Sequence, residues 1–229
     1  MREVEEARLK AVKEVLRLVW EGAVVGLGSG STVKLIVAEL SKLGMRFKVV
    51  PASSQTLLEA ARHGLELAFP EAYPSPDIYL DSFDQVDNDG NLIKGGGGAH
   101  LREKVLSNAS KFTVFVGDHR KRSRVLDKPV PLEVLPFALP YVLDRLRQMG
   151  GKPEPRISQG KNGPVVSDNG NYIVDVDFGP IHDPRWLEKK LRTIPGILEN
   201  GLFISAADKI IIGEADGRVT VHTYQRIRV

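Results

Sequence analysis

No cysteine occurs in this chain of 229 residues. Disulfides, thiolate metal sites and cysteine nucleophiles are thereby excluded, and nothing points to an oxidising compartment. Long apolar runs are missing as well, since no stretch approaches the roughly 20 residues of a membrane-spanning helix. The opening Met1-Arg2-Glu3-Val4-Glu5-Glu6 is too charged for a secretory signal. Charge of one sign is not in excess either: 32 Lys and Arg against 29 Asp and Glu give a formal net charge of +3. The one dense basic group, Arg120-Lys121-Arg122-Ser123-Arg124, has no interleaved aromatic residues, which favours a solvated face over a base-stacking surface. The five histidines are scattered without metal-ligand spacing, and only His100, beside a glycine run, draws notice. These absences lead us to expect a cytoplasmic protein with no metal, no cofactor, and neither nucleic acid nor membrane as partner.

What remains is ordinary globular material, 42% hydrophobic and 27% charged, enough for one large domain or two modest ones. Apolar residues at Val4, Ala7, Ala11, Val15, Leu18 and Val19 recur at helical spacing, and Gly22 ends the pattern. Strands are then predicted at 23–27, 47–50, 78–80 and 112–116, and helices at 31–43, 54–63 and 99–106. A short apolar piece lies at 65–69. Continuous apolar strands alternating with helices imply an open, mostly parallel sheet flanked by helices, with ligands beyond the carboxyl ends of its strands. The segments 28–32, 81–84 and 118–121 each follow a strand, so they are expected along one rim. After Pro129-Val130-Pro131 the pattern changes. A strand at 132–135, a helix at 138–149, strands at 165–167 and 172–176 around the turn Asp168-Asn169-Gly170-Asn171, and a helix from Asp183-Pro184 to Arg192 suggest a small ferredoxin-like α+β unit. A hairpin at 209–212 and 219–221 returns to the first sheet. The expected organisation is an α/β catalytic domain at 1–130 and 206–229, interrupted at 131–205 by a lid or oligomerisation domain.

The chemistry concentrates between Asp81 and Lys104. Asp81, Asp84, Asp87, Lys94, the run Gly95-Gly96-Gly97-Gly98 and Glu103 share one strand-to-helix connection. Four successive glycines carry a large ordering cost, which makes sense where main-chain N–H groups must approach a ligand closely. Carboxylates and a lysine beside them place acid, base and positive charge around one small polar molecule. Asp87-Asn88-Asp89-Gly90 reads as a turn; a calcium loop lacks its terminal glutamate. For Glu103 the plainer alternative is a surface charge favoured by a helix N-terminus. Gly26-Leu27-Gly28-Ser29-Gly30-Ser31-Thr32 suits an anion, but it is neither a P-loop nor G-x-G-x-x-G. A tight turn with Ser31 as helix cap explains the same residues equally well.

Taken together, Gly28-Ser29-Gly30-Ser31-Thr32, Asp81-x-x-Asp84-x-Val86-Asp87, Leu92 to Ala99, Arg102-Glu103-Lys104, Lys121, Pro131 to Pro136, Ser167 to Asn171 and Ile194 to Phe203 resemble the A-type ribose-5-phosphate isomerases. The likeness runs nearly end to end in the right order. It implies metal-free interconversion of D-ribose 5-phosphate and D-ribulose 5-phosphate through an enediolate, in a homodimer or homotetramer. It implies Glu103 as the base between C1 and C2, and Asp81 assisting ring opening and proton movement between oxygens. Asp84 and Lys94 would bind the hydroxyls, and Lys94 with the N–H groups of Gly95, Gly96 and Gly97 would meet the oxyanion. Gly28, Ser29, Gly30, Ser31 and Thr32 would contact substrate, and Lys121 would help hold its phosphate. The family usually has Asp-Gly-Ala-Asp-Glu; here Ser82-Phe83 and Gln85 intervene, so Phe83 is expected to add bulk near the sugar and Gln85 to remove a charge. His100 stands where a smaller or aliphatic residue is common. A sugar-phosphate sensor and a transferase or deaminase on the same sheet are the competing readings, although no segment is left over for a sensor's DNA-binding or partner module.

Overall fold

The computed structural model describes residues 2–158, 160 and 162–227. Its elements begin with α1 (Arg2–Leu16), β1 (Val24–Leu27), α2 (Ser31–Leu40), β2 (Lys48–Pro51), α3 (Ser54–Arg62), β3 (Glu66–Leu67) and β4 (Ile78–Ser82). Then come β5 (Gln85–Val86), β6 (Leu92–Ile93), α4 (His100–Ala109), β7 (Thr113–Asp118) and β8 (Val130–Val134). The remainder is α5 (Leu139–Gln148), β9 (Lys152–Pro155), β10 (Tyr172–Asp177), α6 (Pro184–Arg192), β11 (Ile197–Asn200), β12 (Leu202–Phe203), β13 (Lys209–Gly213) and β14 (Val219–Thr223). Two compact units result: one of 1–83, 102–122 and 205–229, the other of 84–101 and 123–204.

The first unit is a seven-stranded sheet in the order β14-β13-β7-β4-β1-β2-β3, parallel except for β14. Its central strands are mainly apolar because both faces are covered; Val25, Leu27, Ile78, Leu80, Val114, Val116 and Ile211 are all buried, and the acidic residues come at their carboxyl ends. Ala11, Val15 and Leu16 of α1 and Val33, Ile36 and Val37 of α2 complete that core. Each such Val, Ile or Leu contributes roughly 1.5–3 kcal/mol by leaving water. The predicted helix through Trp20 stops at Leu16, where the chain turns ahead of Gly22 at φ +81°.

The second unit has its own core, built on Val130, Leu132 and Val134 of β8, Val174 and Val176 of β10, and Val142, Leu146, Leu187 and Leu191 of the two helices. Its four-stranded antiparallel sheet runs β11-β8-β10-β9, and the element order β8-α5-β9-β10-α6-β11 is the ferredoxin-like arrangement. The second strand is Lys152–Pro155, not the predicted 165–167, which makes only an isolated bridge from Val166 to Tyr172. Two prolines and alternating charge in Lys-Pro-Glu-Pro hid that edge strand from pattern reading. A small sheet of β12, β6 and β5 also belongs here, which is why 84–101 groups with this unit. Asp183 caps α6 through a hydrogen bond from the Trp186 N–H at 2.9 Å, with Pro184 at the first helical position.

Candidate active site

In the first unit the strand order reverses beside β1. The chain steps from β1 through β2 to β3 on one side, then returns to β4 on the other. Loops leaving the carboxyl ends of β1 and β4 therefore diverge and open a crevice, the usual ligand position in such sheets. The loop 28–30 leaves β1 there, and Asp81 lies near the end of β4. Gly28 has to lack a side chain, because a Cβ would sit 1.9 Å from the Asp81 Cγ. Asp81 is fully buried; its Oδ2 accepts from the Tyr79 hydroxyl at 2.5 Å and its Oδ1 from the Ser82 N–H at 2.6 Å.

Glu103, in the first turn of α4, is 2% exposed, so the surface-charge alternative does not apply. Its Oε1 accepts from the Ser29 hydroxyl at 2.5 Å. Burial lifts the Tyr79 phenol well above its ordinary pKa, and the negative charges of Asp81 and then Glu103 raise it further. Both carboxylates thus share one electrostatic neighbourhood with a phenol that stays protonated. The cap of α2 is Gly30, at φ +94°, with no side-chain cap bond; Ser31 is already helical, which corrects the turn-and-cap alternative. Helical N–H groups left without a capping side chain are suited to an anion. Arg8 of α1 and Ser31 line a cleft of about 440 Å³, and Arg8 Nη2 reaches Asp118 Oδ2 at 3.1 Å.

Lys121 Nζ donates to the Phe83 carbonyl at 2.5 Å and lies 5.4 Å from the centroid of the Phe83 ring. The ring itself is buried over Gly117, where a Cβ would meet it at 2.6 Å. The extra bulk expected near the sugar is thus absorbed by a missing side chain underneath. Two further members of the basic group have partners within the unit: Arg120 pairs with Asp118 at 2.9 Å and Arg122 with Glu214 at 2.8 Å.

In the second unit, Asp84 Oδ2 accepts from the Gly96 N–H at 2.9 Å. Lys94 is 3% exposed; its main-chain N–H donates to the Gly201 carbonyl at 2.9 Å, and its ammonium lies 5.3 Å from the Phe203 ring centroid. The run Gly95 to Gly98 closes as a turn through Gly98 N–H to Gly95 O at 2.9 Å. Gly95 has φ +105°, and a Cβ there would meet the buried His100 ring at 2.8 Å. Gln85 is a clip: its amide nitrogen donates to Asp127 Oδ1 at 2.6 Å and its oxygen accepts from the Asp127 and Lys128 N–H groups at 2.9 and 3.1 Å. Asp87 accepts from the Asp89 and Asn91 N–H groups, as a turn former does.

The first unit therefore gathers Gly28, Ser29, Asp81 and Glu103 with Tyr79, and it also carries Thr32 and Lys121. The second joins Asp84 to Gly96 and holds Lys94, Gly95 and Gly97. Sequence reasoning missed Tyr79, which donates to Asp81. Tyr79 was legible in principle, since residues two apart on a strand share a face and the partner was Asp81.

A sequence profile of the family described as Ribose 5-phosphate isomerase A (phosphoriboisomerase A) matches residues 48–217. A Ribose-5-phosphate isomerase A of Methanosarcina acetivorans is 42% identical over 213 residues, covering 91% of both chains. The protein of that name from Thermosynechococcus vestitus is 40% identical over 226 residues, 95% of this chain and 96% of its own. Among solved structures, a D-ribose-5-phosphate isomerase in complex with phospho-erythronic acid superposes with a TM-score of 0.93 at 36% identity, covering 96% of this chain and 99% of that one. The ribose 5-phosphate isomerase A of Methanocaldococcus jannaschii gives 0.91 at 36% identity and the same coverage. The chain belongs to the ribose 5-phosphate isomerase A family and is an enzyme of that kind.

Proposed function

We propose that the chain interconverts D-ribose 5-phosphate and D-ribulose 5-phosphate through an enediolate, with Glu103 as the general base. The observation that carries this reading is a carboxylate buried at 2% exposure, held by the Ser29 hydroxyl at 2.5 Å in the neighbourhood of Asp81. Asp81 first takes the proton of the anomeric hydroxyl; as the C1 carbonyl forms, the bond from C1 to the ring oxygen breaks and Asp81 returns the proton to that oxygen, opening the furanose. Glu103 then removes the proton on C2 of the aldehyde, and the electron pair moves onto the C1 oxygen. Returning that proton to C1, while the O2 proton passes through Asp81 to O1, gives the ketose. A C–H beside a carbonyl is a weak acid, so a base supplies only part of the rate, roughly 10²–10⁴-fold. Lys94 and the N–H groups of Gly95 and Gly97 supply the rest by meeting charge on the oxygen, with each preorganised donor worth about 3 kcal/mol, while the Gly96 N–H is given to Asp84. Asp84 holds sugar hydroxyls. The loop 28–32 and Lys121 bind the distal phosphate, whose binding energy holds C2 against the base.

The same reading carries a homodimer or homotetramer, supported by the exposed apolar side chains of Leu135, Phe137 and Tyr141 on one short segment. It also carries a cytoplasmic location; among the described residues no helix is long and apolar enough to cross a membrane. The test is formation of ribulose 5-phosphate from ribose 5-phosphate in the presence of a strong chelator. Full turnover is expected. Activity abolished by the chelator and restored by a divalent metal would contradict the metal-free route, and binding without turnover would favour a sensor.

A further inference from the structure

Two peptide units of the glycine run are gripped from their carbonyl side. Arg156 Nη1 donates to the carbonyl oxygens of Gly95 and Gly96 at 3.1 and 2.9 Å. The same guanidinium is forked onto Asp175, Nε to Oδ2 at 2.7 Å and Nη2 to Oδ1 at 2.5 Å. Arg156 directly follows β9 and Asp175 lies within β10, so the clamp is mounted on the sheet of its own unit. In a trans peptide the C=O and the following N–H point in opposite directions, and the described residues contain no cis peptide. Holding the Gly95 carbonyl therefore aims the Gly96 N–H away from the guanidinium, and that N–H is the one donated to Asp84. Holding the Gly96 carbonyl turns the Gly97 N–H away in the same manner.

We infer that Arg156, anchored by Asp175, is a positioning residue for the isomerisation: it sets the aim and donor strength of the glycine-run N–H groups and, through the Gly95–Gly96 peptide, orients Asp84. The inference rests on the isomerase reading above. Glycines offer no side chains to pack, so a tetraglycine turn without an external grip ranges over many conformations. A cation on the carbonyl end of a peptide polarises it and strengthens its N–H as a donor. Arginine suits the task because one planar guanidinium has five donors, enough for a carboxylate fork and two carbonyls together; an ammonium has three and no fork.

Arg156→Lys keeps the charge and loses the fork, and Arg156→Ala leaves space for free guanidinium ion. Both variants are compared with wild type by thermal unfolding, by steady-state kinetics on ribose 5-phosphate, and by binding of phospho-erythronic acid, whose planar carboxylate resembles the enediolate. We expect folded proteins with kcat lowered on the order of 10²-fold and KM within about threefold, because misplaced catalytic groups cost the transition state rather than binding. Affinity for phospho-erythronic acid should fall with kcat, and millimolar guanidinium should restore part of the Arg156→Ala rate but none of the Arg156→Lys rate. Should Arg156→Ala not fold, Asp175→Asn replaces it, with an expected kcat loss of about tenfold. A folded Arg156→Lys or Asp175→Asn with kcat within about twofold of wild type overturns the inference. Wild type without isomerase activity would instead sink the reading beneath it.

Discussion

Phe83 and Gln85 depart from the family's usual residues, and each departure is matched by a partner in its own unit. Phe83 fills the space that Gly117 leaves and puts an aromatic face 5.4 Å from the Lys121 ammonium. Gln85 donates to a carboxylate, Asp127, which a glutamate in its place would repel. Phe83→Leu keeps an apolar side chain over Gly117 and removes the π face, which is worth about 1 kcal/mol to a nearby cation. If Lys121 holds the phosphate, KM for ribose 5-phosphate should rise about fivefold with kcat nearly unchanged, as loss of uniform binding requires. Steady-state kinetics decides; an unaltered KM would show that the ring only fills space. The partners of Phe83 and Gln85 were hidden from sequence reading because they lie 34 and 42 residues along the chain, which no local spacing encodes.

Between elements, Asp118 at the end of β7 ties α1 to the following turn through Arg8 and Arg120. Burial opposes its ionisation, but the hydrogen bonds and charges of Arg120 and Arg8 outweigh it and hold the carboxyl down, from 3.8 to about 2. A carboxyl depressed in the folded state contributes stability that is present above its unfolded pKa and lost as pH falls through the folded one. The window here is therefore about pH 4 down to pH 2, and the contribution is roughly 2 kcal/mol. Asp118→Asn should be less stable than wild type by about that amount at pH 5, and the gap should narrow toward pH 2. Denaturant unfolding at both pH values checks it; a gap independent of pH would place the effect in packing rather than ionisation. Two family-like stretches turn out to form one staple. Ser167, Asn169 and Asn171 all donate to Oε1 of the buried Glu133, at 2.7, 2.9 and 2.8 Å. Strongly periodic elements such as α1, β1 and α2 were legible, whereas β5, β6 and β9 were not, because two-residue strands and a Pro-rich edge carry no period.

For the whole molecule, the order of strands and helices predicted the parallel sheet, the returning hairpin and the ferredoxin-like unit, and it predicted that 28–32, 81–84 and 118–121 each follow a strand; the strands concerned, β1, β4 and β7, are neighbours in the sheet, with Asp81, Ser82 and Asp118 still inside them. Asp81 and Lys94 were legible as candidates because polar residues stood where turn chemistry or a solvated surface gave them no reason to be, whereas Glu103 was reached only through the family resemblance. Arg156 was not legible, since a lone arginine reads as surface and only the fold brings it to the glycine run; Tyr79 reads as core unless its two-residue spacing from Asp81 on one strand is weighed. The central claim is that Glu103 carries the proton between C2 and C1. Replacing Glu103 by Gln preserves shape and the Ser29 contact while removing the base. Turnover of ribose 5-phosphate by the folded Glu103→Gln protein, read together with deuterium uptake at C2 in D2O, tests that claim most directly. We predict kcat lower by roughly 10²–10⁴-fold, no C2 exchange and little change in KM. Exchange and turnover at the wild-type rate would contradict it.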